Sequence, residues 1–230
     1  MKNIFLLLFS SVLLFSCQDS VEFNNPAMQA SIDNQLWRSV STVATKSATG
    51  SLVIKGNTSN GQVTLNINSS ALGTYLLGTT NQTNSISYSA LFNTEQTLFG
   101  TTIYSAPVNK ISISSGGSGY TAATSVVTTT NGAGTGLKVD IKINSTGSVN
   151  EVLVNAPGNG YKAGDFVTIT GGNGAARIII QNVTKSNGEI VITESANGFV
   201  SGNYKFVAVN TVSGNIVVAR NGVFYKIPVK

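Results

Sequence analysis

Histidine is missing from all 230 residues, cysteine occurs once, and charged side chains make up only 10% of the chain. Without histidine there is no Ser-His-Asp or Cys-His nucleophile pair and no histidine pH switch. Cys17 alone can form neither an intramolecular disulfide nor a Cys/His zinc site. The charge falls well below the roughly one quarter usual for a soluble domain. Lys and Arg number 14 against 9 acids, a balance of +5, and the lysines are dispersed without a run. Nucleic acid requires a basic stripe with interleaved aromatics, so it is not an expected partner. No Asp-x-Asp cluster offers oxygen donors to calcium. Gly132-Ala133-Gly134-Thr135-Gly136 lacks the lysine and helix of a phosphate loop. No cofactor or metal is expected, and the chain does not read as an enzyme.

Met1-Lys2-Asn3 opens the chain, followed by an apolar run over residues 4–15 broken only by Ser10 and Ser11. Such a run is too short to cross a hydrocarbon layer of ~30 Å and reads instead as a removable signal. It ends in Leu14-Phe15-Ser16-Cys17, which resembles a bacterial lipobox, with a small residue before a cysteine that becomes acylated. Residues 1–16 are therefore expected to be a lipoprotein signal peptide, and residues 17–27 the lipidated Cys17 and a flexible tether. Each buried acyl methylene contributes about 0.8 kcal/mol, so two or three chains hold a protein firmly on a membrane. The expected partner is a membrane, reached through the lipid on Cys17. The expected location is the outer membrane, because no aspartate follows Cys17 directly as an inner-membrane retention signal. Which side of that membrane the protein faces stays open.

From Met28 onward the hydrophobic period is two. Val63, Leu65 and Ile67 alternate with polar neighbours, as do Val139, Ile141 and Ile143. Ile190 and Ile192 alternate with Val191 and Thr193, and Tyr204, Phe206 and Ala208 with Lys205, Val207 and Val209. Each pattern puts one face in a core and the other toward water. Turn signals stand at Asp33-Asn34, Asn60-Gly61, Asn131-Gly132, Asn187-Gly188, Ser213-Gly214 and Asn221-Gly222. The reading is all-β, an antiparallel β-sandwich or flattened barrel.

Two outer segments carry a resemblance. Met28-Gln29-Ala30-Ser31-Ile32-Asp33-Asn34-Gln35-Leu36-Trp37 reads as strand, tight turn and strand, and Gly73-Thr74-Tyr75-Leu76-Leu77-Gly78 follows. Gly188-Glu189-Ile190-Val191-Ile192-Thr193, Val200-Ser201-Gly202-Asn203-Tyr204-Lys205-Phe206 and Asn221-Gly222-Val223-Phe224 come later. This order resembles a family of uncharacterised Bacteroidota lipoproteins built as one antiparallel β domain. The resemblance implies fold and location and supplies no catalytic residues. Residues 28–106 plus 184–230 are then a parent β domain, and residues 107–183 an inserted module. Inside the module, Ile111 to Tyr120 is echoed by Val152 to Tyr161, 41 positions later at the tyrosines. Each Gly-Tyr is followed by a strand, a glycine-rich turn and another strand, as in β-repeats of phage tail-fibre and bacterial surface proteins. Two such units need each other to close a core.

Tyr120 and Tyr161 either stack on sugar rings as possible ligand contacts or pack inward as corner plugs, the second being the plainer reading. Trp37, the lone tryptophan, is either a core anchor or a ligand contact. The acids are thinly spread, and a glycosidase needs two of them about 5–9 Å apart in a cleft. Glu189 and Glu194 share a strand but, being an odd number apart, face opposite sides. Lys142 shares a face with Asp140, and an ion pair across that face explains both. The expectation is a non-catalytic binding or structural module whose partner is a glycan or an envelope protein. The alternatives are a carrier of a small apolar ligand in a β-barrel and a carboxylate-based glycan hydrolase.

Overall fold

The computed structural model describes residues 27–92 and 95–230. The signal, Cys17 and the tether up to Pro26 lie outside the described residues. Strands β1 (Ala27–Ile32), β2 (Gln35–Arg38), β3 (Ser41–Lys46), β4 (Leu52–Asn57), β5 (Gly61–Ile67), β6 (Gly73–Leu77), β7 (Ser85–Phe92) and β8 (Glu95–Gly100) come first. Next are β9 (Val108–Gly116), β10 (Ala123–Thr130), β11 (Thr135–Ile143), β12 (Val149–Asn159), β13 (Phe166–Ile169) and β14 (Ala176–Val183). The chain closes with β15 (Asn187–Ala196), β16 (Phe199–Val209) and β17 (Ile216–Pro228). No helix occurs among the described residues, and the all-β expectation holds.

β1–β8 and β15–β17 form an 11-stranded antiparallel sheet. One wall runs β2-β1-β17-β16-β15-β6 and the other β8-β7-β5-β4-β3. The walls meet where Val209 pairs with Gly100. At the far side Val229 bridges to Ala44, and the Lys46 and Lys230 amides donate across the gap at 3.0 and 2.9 Å. The result is a flattened, nearly closed barrel. Its interior is filled by fully buried Met28, Leu52, Ile54, Leu65, Ile67, Leu77, Ile86, Phe206 and Phe224. At roughly 1.5–3 kcal/mol for each large apolar side chain removed from water, this interior is the main source of the fold's stability.

The alternation reads correctly in most places. Val63, Leu65, Ile67, Ile190, Ile192, Tyr204, Phe206 and Ala208 all face inward. Val209 departs from it: assigned to the outer face, it is 1% exposed, because it forms the seam between the two walls. The Asp33-Asn34 signal is a two-residue hairpin between Ile32 and Gln35, with φ of 48° and 65°. Asn221-Gly222 is no chain reversal. Asn221 has φ 52° within β17, where the register against β16 shifts between Tyr204 and Phe206, so the pair forms a bulge. Asn187-Gly188 likewise opens β15 instead of closing a hairpin.

β9–β14 form a second sheet of 6 strands in the order β12-β11-β10-β13-β14-β9. The repeat units are β9-β10-β11 and β12-β13-β14, and exchanging them turns this order into its own reverse. The first strand of each unit pairs with the third strand of the other, β9 with β14 and β12 with β11. β10 and β13 pair across the centre, and the sheet curls until β9 and β12 lie side by side. Leu137, Val139, Val167, Ile169, Ile178 and Ile180 from both units fill one shared core.

The chain leaves the first body and returns at neighbouring points. Thr184 N–H donates to Pro107 C=O at 2.8 Å, and the Ser186 hydroxyl bridges the backbone N–H and C=O of Thr102. Since loop closure costs little when the ends already meet, replacing residues 107–183 by a short Gly-Ser linker is expected to leave a folded first body. A far-UV β-spectrum and a cooperative thermal melt check this. A variant without a cooperative transition would show the two sheets to be a single folding unit.

Candidate functional site

Both repeat tyrosines point into the shared core, Tyr120 at 4% and Tyr161 at 1% exposure. The glycine before each, Gly119 with φ 72° and Gly160 with φ 81°, turns the chain inward there. Each ring sits in the hairpin of the other unit. The Tyr120 hydroxyl donates to Ile169 C=O and accepts from Ala176 N–H, both at 3.1 Å, while Tyr161 accepts from Leu137 N–H at 3.4 Å. The seats are glycines: a Cβ on Gly134 would stand 2.3 Å from the Tyr161 ring, and one on Gly172 2.4 Å from that of Tyr120. Neither ring can stack on a ligand, which removes the platform considered from the sequence and leaves the corner plug. Trp37 is also interior, 8% exposed, with its Nε1 buried and unpartnered. A Cβ on Gly56 would come within 2.9 Å of its ring, so Trp37 anchors the core.

Most of the described acids are held by structural contacts. Lys142 pairs with Glu151 at 2.8 Å, and Lys205 with Glu189 at 2.8 Å. Asp140 is not Lys142's partner; its Oδ1 accepts from Ser125 N–H at 2.8 Å and from the Asn155 amide at 2.9 Å. Asp140 and Glu151 nevertheless line one groove of about 370 Å³ on the outer face of β11 and β12, a convergence the sequence reading missed. Both pair across β11–β12 at neighbouring register positions, Asp140 opposite Leu153 and Glu151 opposite Lys142. The parity argument for Glu189 and Glu194 fails, because the register shifts between Ile192 and Glu194 and alternation is broken. Five residues of strand still separate them by roughly 16 Å, and Glu194 accepts instead from the Ser201 hydroxyl at 3.0 Å. No group of three or more metal-ligating side chains occurs among the described residues.

The larger groove, about 400 Å³, lies on the outer face of β15, β16 and β17, lined by Glu189, Val191, Asn203, Lys205, Asn221 and Val223 with backbone of neighbouring residues. Beneath it Tyr204 is buried, and burial pushes its phenol far above the ordinary value. Tyr204 is why β17 has glycine at 222, where a Cβ would lie 2.4 Å from its backbone carbonyl and 2.6 Å from its ring. The Asn-Gly pair at 221–222 was the signal available in the sequence, but a bulge and a hairpin ask for the same residue types.

A family model described as a domain of unknown function, DUF6252, matches the chain twice, over residues 24–132 and 119–228. The two matches meet around β10, inside the six-stranded sheet, so neither coincides with one sheet. No curated protein matches the chain, and no solved structure does.

The tyrosine seats differ in hydrogen bonding, and their variants should differ with them. Tyr120→Phe removes both buried hydrogen bonds of the hydroxyl, to Ile169 C=O and from Ala176 N–H, and should cost about 1–3 kcal/mol, whereas Tyr161→Phe, which loses one long bond, should cost under about 1 kcal/mol. Truncation of either to alanine should cost roughly 3–5 kcal/mol. Urea unfolding of the full chain measures all four; equal losses for the two phenylalanine variants would contradict this account.

Proposed function

The chain belongs to the DUF6252 family, a domain of unknown function, and we propose that it is an envelope lipoprotein whose β body is a non-catalytic binding or structural module. The observation that carries the anchoring is the position of the only cysteine, directly after the apolar run and a small residue in Leu14-Phe15-Ser16-Cys17. Acylation there would hold the protein on the outer membrane through a polar tether ending near Ala27. No helix among the described residues is long and apolar enough to cross a membrane. Residues 28–106 plus 184–230 serve in this reading as the parent domain, and residues 107–183 as the insertion, related to the β-repeats of surface fibres.

A binding or scaffolding role is supported by the exterior. Outward positions carry Ser, Thr and Asn with few charges, a surface suited to a glycan or an envelope protein. The filled interior of the first body weighs against a small-molecule carrier, which needs room inside the barrel. The acids held by Lys142, Asn155, Lys205 and Ser201 weigh against carboxylate hydrolysis.

Replacing Cys17 by Ser should move the protein from the membrane pellet to the soluble fraction of the envelope and abolish incorporation of labelled palmitate. Fractionation and labelling that do not change with this substitution would overturn the lipoprotein reading.

A further inference from the structure

We propose that the groove on the outer face of β15, β16 and β17 binds a neutral carbohydrate through the side-chain amides of Asn203 and Asn221. The assignment rests on the binding-module reading and gives it a site and a ligand class.

The register builds the groove from two cross-strand rows. Asn203 stands between Val191 of β15 and Val223 of β17. In the adjoining row Glu189 faces Lys205, and the two are joined by the 2.8 Å ion pair. Opposite Lys205, β17 carries its bulge, and the left-handed backbone of Asn221 gives that residue an orientation regular pleating would not. Neither amide is hydrogen-bonded to another described residue. In two other grooves the central polar side chains are engaged, Asp140 with Asn155, Glu151 with Lys142, and Asn57 with Gln62 at 2.6 Å.

A free carboxamide offers both a donor and an acceptor, the combination that two adjacent sugar hydroxyls satisfy. The half-buried Val191 and Val223, which flank Asn203 in its row, supply an aliphatic surface suited to the C–H face of a pyranose ring. Glu189 and Lys205 cancel in charge, so the groove favours a neutral sugar over a uronic or sialic acid. Its volume of about 400 Å³ falls within the roughly 300–1,000 Å³ of small-ligand sites.

The test uses the full chain in detergent on an array of neutral oligosaccharides and their uronic- and sialic-acid counterparts. Two variants remove the amides without strain: Asn203→Ala in extended strand, and Asn221→Gly, because glycine accepts positive φ. Binding confined to neutral glycans, weakened about tenfold in the double variant while the melting temperature holds, is the expected result. A tenfold loss corresponds to roughly 1.4 kcal/mol. Failure to bind any neutral glycan, or preference for the acidic ones, overturns the ligand class. Neutral-glycan binding that the double variant leaves intact overturns the groove as its site but not the module's binding role. A photoreactive residue at position 203 that crosslinks a protein in intact cells, with no glycan bound, overturns the carbohydrate assignment in favour of a protein contact. None of these results bears on membrane attachment, which the Cys17 substitution reads separately.

Discussion

The six-stranded body depends on a reciprocal exchange between its two repeat units. Each unit contributes a tyrosine that fills the hairpin of the other, and a first strand that pairs with the other's third. A single three-stranded unit would leave its apolar face and the hydroxyl of its tyrosine without partners. Together the units bury thirteen residues in one core that Ala106 also joins. The glycines at 134 and 172 are the counterpart of the rings, since any side chain there would occupy the space of the aromatic.

That exchange also decides where ligands can be met. Aromatic rings are the usual means by which a polar β surface contacts a sugar, and here the two most suggestive ones are used inside. Tyr204 is spent likewise, stacked on Phe206 at 6.3 Å between ring centres beneath the bulge of β17. What remains outside, among the described residues, is a weakly charged exterior of amides, hydroxyls, two ion pairs and scattered apolar side chains such as Leu36, Phe166 and Phe199. Bulges shape it: the shift in β17 sets Asn221 opposite Lys205 in the groove that Asn203 also lines, and in β15 the shift is followed by Glu194 accepting from Ser201. The first body supplies rigidity for this face, closed from β1 to β17 by strands from opposite ends of the chain.

Much of this architecture was legible in the residues. Period-two runs located the strands, and the 41-residue echo placed β9 to β14 within a few positions of where they form. Alternation is a local consequence of pleating, so it survives translation into structure wherever the ladder is regular. It fails at Val209, whose burial comes from the meeting of two walls, a contact no local pattern encodes. It fails again at Glu194, because one extra residue in a ladder reverses the facing of everything beyond it. The side of Tyr120 and Tyr161 could be framed only as a choice, since their seats are glycines of the other repeat unit. The amide groove was invisible for a related reason: Asn203 and Asn221 are 18 residues apart in sequence and come to line one groove only through the bulged register of β16 on β17.

Native-state hydrogen exchange on the full chain, comparing the unaltered protein with Tyr161→Ala, tests the interlock most directly. Cooperative closure predicts that amides of β9–β14 in both repeat units lose protection by the same free energy, while those of β4, β5 and β16 keep theirs. Protection lost only in β12–β14 would contradict the exchange, because it would show each unit standing without the other. Loss spread equally over both sheets would contradict the separate cores.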